Sequence, residues 1–351
     1  MAESRTTSVR INEAVVQLTT DYAPLTDYVE NLLSRIRVDG EEPNVVSELR
    51  WVTKAPLQRI APPPGADLPA VAYGVRGSGE TVGIDYVPGF PGLAATFEGT
   101  GPVRMHARLI NRWPADWLRA ALGRYAPGYF PTRLMYHAVY VPAAWYLGCA
   151  HRRFWAHAGA VVRDDEALLV GGFAGIGKST LCLRLMREAD FRLLSDDLVL
   201  YDTERVYTCY EPVRVVAGSA AAHQGIAVDQ ERAMGNKSAG ELEDLVIGSA
   251  RPTVLLLPRF GDETRLRELD WETAANRFYT TSRLAAQVSE FDYYATVLSS
   301  CHRDDDWFAL QLRNLRELLK DVQCFELQMR RADGPEKTFE LVREVVDDAF
   351  E

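Results

Sequence analysis

Residues 172–179 read GFAGIGKS, and no other segment limits so tightly what this chain can fold into. The segment meets G-x-x-x-x-G-K-[ST] at every fixed position, follows the apolar run Ala167-Leu168-Leu169-Val170 and precedes a helical stretch from Thr180. A strand, a glycine-rich loop and a helix in that order wrap backbone N–H groups and a helix N-terminus around phosphate oxygens. Lys178 is then expected to neutralise the β- and γ-phosphates, and Ser179 to place its hydroxyl on Mg²⁺. Gly172, Phe173, Ala174, Gly175, Ile176, Gly177 and Thr180 complete the expected nucleotide cradle. The alternative is a glycine-rich turn that only joins a strand to a helix.

A loop of this kind needs an acidic partner at the carboxyl end of a neighbouring strand. Residues 191–195 (FRLLS) read as a short strand ending in Asp196-Asp197, 18 and 19 residues after Lys178, enough for one helix and one turn. One carboxylate is expected to hold Mg²⁺ and the other to accept a proton from an attacking hydroxyl. Two adjacent carboxylates beside phosphate need a metal to stay ionised, or one of them takes a raised pKa suited to a general base. A solvated Asp-Asp turn is the alternative.

The order from His157 (HAGAVV) through RDDE, ALLVG, GFAGIGKST and LCLRLMREAD to FRLLSDD resembles the core of HPr kinase/phosphorylase and its HPr-kinase-like relatives, which share a fold with phosphoenolpyruvate carboxykinases. The likeness covers about 40 residues of the 351. It implies an α/β fold: a P-loop nucleotide-binding domain of the HPr kinase/phosphoenolpyruvate carboxykinase type, preceded by an N-terminal α+β domain. It also implies that Asp196 is the base toward a seryl-type hydroxyl, Asp197 a metal ligand, Lys178 and Ser179 the phosphate and magnesium residues, and His157 an active-site neighbour. Thr180 departs from the acidic residue usual after the loop serine in the bifunctional enzymes, and their downstream glycine-rich signature is missing, residues 210–214 (YEPVR) standing in its place. The chain therefore resembles a divergent member, and HPr itself is not implied as its acceptor. Read alone, His157 is equally a partly buried structural histidine.

Other phosphate-loop machines fit less well. Small-molecule kinases of the shikimate or gluconate kind follow their acidic pair with a helix, whereas 198–206 and 207–216 read here as strands joined by the turn Asp202-Thr203-Glu204. A switch GTPase needs N-K-x-D, and Asn236-Lys237-Ser238-Ala239 lacks the aspartate. The strand expected at 253–258 ends in Pro258-Arg259 rather than in the acid of a transporter-type ATPase. Phosphoryl transfer wants further positive charge, for which Lys237, Arg214 and Arg259 are the candidates in that order.

A net charge of −10 provides no basic footprint for nucleic acid. The five cysteines show no metal spacing and read as reduced thiols of a cytoplasmic protein. No apolar signal region opens the chain, and the apolar stretch 138–150 is too short and broken for a membrane span. Residues 1–125 are expected as the substrate-selecting or oligomerising α+β domain, and 126–351 as the nucleotide domain. Within the first, 9–38 suggest two helices, 56–69 are Pro-rich and 71–103 suggest hairpins. In the second, 134–151 read as an apolar helix with core aromatics and 233–243 as a polar loop carrying Lys237. Helices near 271–278, 285–298 and 306–319, a strand at 324–329 and a helix after Asp333 complete the pattern. The expected activity is transfer of the γ-phosphate of Mg-ATP to a hydroxyl on a peptide, protein or small molecule, by a chain that forms a homo-oligomer if the first domain oligomerises. The alternative is a nucleotide-dependent regulatory ATPase or switch that phosphorylates no substrate.

Overall fold

A computed structural model describes residues 3–52, 65–72, 74–87, 92–110, 129–211, 213–216, 227–234, 237–241, 245–302 and 306–350. The chain is a mixed α/β protein that divides into two compact units. The first comprises residues 1–152, 229–238 and 290–307, and the second 153–228, 239–289 and 308–351. The Pro-rich segment falls mostly outside the described residues.

The first unit is built on an eight-stranded sheet. Its strands are β1 (Arg5–Ile11), β2 (Ala14–Thr20), β3 (Val45–Val52), β4 (Ala70–Ala72), β5 (Val75–Ser78), β6 (Thr81–Ile84), β7 (Leu93–Glu98) and β8 (Val103–Ile110), in the order β1-β2-β3-β8-β7-β6-β5-β4. Residues 9–20, expected as a helix, belong instead to the hairpin β1-β2. Val, Ile and Thr fill it, and Thr7, Val9 and Ile11 are buried at every second residue, a period of two that a helix cannot present to one face. Asn12 turns the hairpin at φ 58°, a conformation asparagine tolerates better than most residues. The second half of that expectation holds, with a helix at Ala23–Leu32. The apolar run forms the helical segments Tyr129–Met135, Tyr136–Tyr140 and Val141–His151, whose Tyr136, Tyr140 and Trp145 are buried as core, Trp145 stacking on Trp307 at 4.9 Å.

The second unit holds β9 (Phe154–His157), β10 (Gly159–Arg163), β11 (Glu166–Val170), β12 (Arg192–Ser195), β13 (Leu198–Tyr201) and β14 (Val206–Thr208). The strands β15 (Val213–Val216), β16 (Ala227–Met234) and β17 (Lys237–Glu241) form a separate small sheet, so most of the expected polar loop at 233–243 is strand. Three strands, β18 (Ser249–Phe260), β19 (Arg265–Leu269) and β20 (Gln323–Met329), complete the larger sheet, whose order is β12-β10-β11-β18-β14-β13-β9 with β20 also on β18 and β19 on β20. Asp202 fixes the β13-β14 turn by accepting from the N–H groups of Glu204 and Arg205 at 2.8 and 2.9 Å.

Strand direction decides where chemistry can gather. Both β11 and β12 run antiparallel to β10, so they point the same way, and β18 and β20 run parallel to β11. The carboxyl ends of four strands therefore share one edge. Only Ala158 separates β9 from β10, yet these strands lie near opposite ends of the sheet order. One residue spans at most ~3.6 Å, so the sheet must curl back upon itself. The link between β12 and β13 is Asp196-Asp197, and the curl sets it beside the β9-β10 link, with Leu198 in register with His157.

Candidate active site

The loop 172–179 follows β11 and leads into a helix at Lys178–Glu188. Gly172 and Gly177 sit at φ 111° and 102°, where a Cβ would be strained, so glycine at the two fixed ends is a backbone requirement. The helix has no side-chain cap and no acidic residue in its first turn, and it opens on a lysine. A cation at the positive end of an uncapped helix is locally unfavourable. Local conflicts of this kind are expected at functional or strained positions, and an anion resting on the loop would relieve this one.

Lys178 is buried, and its ammonium is held by the site itself. Nζ donates to the carbonyl oxygens of Gly172 at 3.2 Å and Phe173 at 2.9 Å, and it lies 2.8 Å from His157 Nε2. An ammonium has only protons to offer, so His157 Nε2 is the acceptor and the imidazole proton sits on Nδ1. That assignment follows from the network. Nδ1 in turn lies 2.9 Å from the Asp197 carbonyl oxygen and 3.3 Å from its Oδ1. A continuous polar chain thus runs Lys178–His157–Asp197, from the loop to the acidic pair.

Two residues from two successive helices distant in sequence, Trp271–Arg283 and Ala286–His302, complete this chain. Ser282 Oγ accepts from the backbone N–H of His157 at 2.6 Å, and Gln287 donates to Asp197 Oδ2 at 3.0 Å. Neither carries a motif that would have marked it in the sequence. Ser282 ends the buried stripe Ala274, Ala275, Phe278 of the helix Trp271–Arg283, and that packing carries its hydroxyl to β9.

Asp196 is 3% exposed, and its field helps raise the thiol pKa of Cys182 after the larger effect of burial. Cys182 lies one turn along the loop helix from Lys178, and a Cβ at Gly159 would meet the Cys182 thiol at 2.7 Å, the Asp196 backbone oxygen at 3.3 Å and Lys178 Cβ at 3.9 Å, so Asp196 lies beside the start of that helix. Ser179 is half-buried and Thr180 exposed in the same first turn, while Phe173, Ala174 and Gly175 stand exposed at the loop's crest. His157, Lys178, Asp196 and Asp197 are therefore brought together. Arg259 stands near the loop but is engaged by Glu326 at 3.0 Å and Gln328 at 2.7 Å. Lys237 begins β17 and Arg214 lies in β15, and their side chains fall outside the described residues.

Residues alternate along β18, so neighbouring side chains face opposite ways and the loop is flanked by two different cavities. Phe260 lines one of about 280 Å³ together with Ile176, Gly177, Thr180 and Leu181; Phe260 is 44% exposed, and the Arg331 guanidinium lies 4.4 Å over its ring. Leu257 and Arg259 line the other, of about 640 Å³, which reaches Gly172 and Phe173.

Among the described residues no cluster of three or more His, Cys, Asp or Glu groups is disposed to hold a metal ion. Magnesium at a nucleotide takes one or two protein ligands, with phosphates and waters supplying the rest. The half-buried Ser179 hydroxyl and an Asp197 carboxylate oriented by His157 and Gln287 fit that demand. No helix among the described residues is long and apolar enough to cross a membrane.

No family model matches the chain, and no curated protein matches it. Among solved structures, the HPr(Ser) kinase/phosphatase from Coxiella burnetii is similar over 56% of this chain and 99% of its own, at 12% identity and a TM-score of 0.28. A likeness at that level carries no argument for fold or activity.

Proposed function

We propose that the second unit is an ATP-dependent kinase that moves the γ-phosphate of Mg-ATP to a hydroxyl acceptor. The observation that carries this reading is the polar chain Lys178–His157–Asp197, which ties the glycine-rich loop to an acidic pair on the same edge of the sheet. The loop cradles the polyphosphate, and Lys178 turns from the Gly172 and Phe173 carbonyls toward phosphate oxygens. Ser179 and Asp197 hold Mg²⁺, which neutralises phosphate charge when bound. The base and ribose occupy the cavity beside Phe260 and Arg331, where an exposed ring offers a stacking face.

Asp196 accepts the proton of the acceptor hydroxyl, whose oxygen forms a bond to the γ-phosphorus. The bond from that phosphorus to the bridging β-γ oxygen breaks, and ADP leaves with the electron pair. His157 holds the Lys178 ammonium and the Asp197 backbone at once, so it is a positioning residue. Transfer is then almost entirely alignment and charge neutralisation, which the fixed geometry of these groups provides.

Binding of a fluorescent ATP analogue to wild type and to Lys178→Met tests the nucleotide site. Loss of binding in the variant supports it, and equal binding contradicts it.

A further inference from the structure

The cavity beside Gly172 and Phe173 has a composition that nucleotide binding does not explain. Three arginines, Arg259, Arg267 and Arg277, line it with one acid, Glu326. Arg259 Nε and Arg277 Nη1 reach Glu326 Oε2 at 3.0 and 2.6 Å. Burial raises the Glu326 pKa, but the hydrogen bonds from both guanidinium groups outweigh it and hold the carboxylate below its ordinary range. Glu326 thus orders two arginines. Arg267 faces the same carboxylate as its cross-strand neighbour from β19, is exposed, and makes no ion pair among the described residues.

A purely structural cluster needs no third cation against one acid. The wall carries an excess of positive charge where it opens toward the loop, and guanidinium groups suit the paired oxygens of carboxylate and phosphate. Its volume suits a small molecule or one side chain with its neighbours. It adjoins Phe173 at the crest of the loop, on the flank opposite Phe260. The helix that supplies Asn276, Arg277, Thr280 and Thr281 to this wall also supplies Ser282 to His157. The same helix therefore borders both the cavity and the backbone of His157.

We infer that this cavity receives an anionic group, carboxylate or phosphate, of the hydroxyl acceptor. The inference rests on the transfer reading and narrows it to acidic acceptors. Arg267 and Arg277 bind the anion, and Phe173 separates it from the phosphates on the loop.

The test titrates full-length protein with glycerate, glycerol 1-phosphate and glycerol by ligand-observed NMR, with the P-loop saturated by a non-hydrolysable ATP analogue and Mg²⁺. At least one of the two anions should bind while glycerol does not, and the tighter of them identifies the carboxylate or the phosphate as the recognised group. Arg267→Gln, which leaves both Glu326 pairs intact, should weaken that binding about tenfold, the loss expected for one charge-assisted contact. Arg277→Gln serves as a second variant, since Arg259 still covers Glu326. Nucleotide affinity, read on the same samples, should not change in either. Absence of anion binding, or binding unaltered by both variants, overturns the inference whatever the nucleotide does. Arginine-dependent anion binding in a protein that binds no ATP refutes the acceptor role through the transfer reading, and so is told apart from failure of the cavity itself.

Discussion

Lys178 Nζ stands 2.8 Å from His157 Nε2, which joins the loop lysine to a histidine 21 residues earlier in the chain. The contact exists because β9 and β10 are separated by a single residue while the sheet curls between them. The imidazole is thereby fixed as a bridge between the loop and the Asp196-Asp197 link.

Replacing His157 by Ala should therefore lower kcat while changing the ATP dependence less. Partners that orient a ligating group are worth about 10–100-fold in activity, and a loss in that range is expected. Steady-state kinetics with ATP as the varied substrate checks it. A parallel collapse of nucleotide affinity and melting temperature would reduce His157 to a packing residue.

Phe260 offers its ring to the cavity between the loop and the helix Gly334–Phe350, with Arg331 across it. Stacking of a base on an aromatic ring is worth about 1–3 kcal/mol. Phe260→Ala should weaken nucleotide binding about tenfold and leave kcat at saturating ATP unchanged. Calorimetric titration with a non-hydrolysable analogue measures the affinity, and an unchanged value would place the base elsewhere.

The first unit carries a pH dependence of its own. Burial, with help from the Arg133 charge, pushes the His137 pKa down to about 3. Its Nε2 lies 3.9 Å from Glu290 Oε2, but a neutral imidazole makes no ion pair there; Nδ1 meets the Tyr294 hydroxyl at 3.0 Å. The unfolded chain binds the proton near pH 6.5 and the folded one does not, so between those values the unfolded state holds more protons. Stability should fall as pH drops from about 6.5 toward 3, by at most about 1.4 kcal/mol per pH unit from this group. Urea midpoints for wild type and His137→Gln check it: the variant should show the shallower dependence.

The clustering of the candidate site was legible in the sequence because its parts lie in one run from His157 to Asp197, where strand, loop and helix signals each have a local physical cause. Ser282, Gln287 and the arginine cavity were not legible. They reach the site through packing of the helices Trp271–Arg283 and Ala286–His302 and through the β18-β20-β19 register, all long-range consequences of the fold. The hairpin β1-β2 was misread because VRINEAVVQLTT also places apolar residues at helical spacing. Its β-branched content and the turn at Asn12 decide for strand.

The central claim is that Asp196 takes the acceptor proton beside a loop-bound nucleotide. The most direct test follows transfer of labelled γ-phosphate from Mg-ATP to acceptors in an extract of the source cell, comparing wild type, Lys178→Met and Asp196→Asn. The account predicts a labelled acceptor with wild type only, and normal ATP affinity in Asp196→Asn. Tight ATP binding without any labelled acceptor in wild type, or transfer that survives Asp196→Asn, would contradict it.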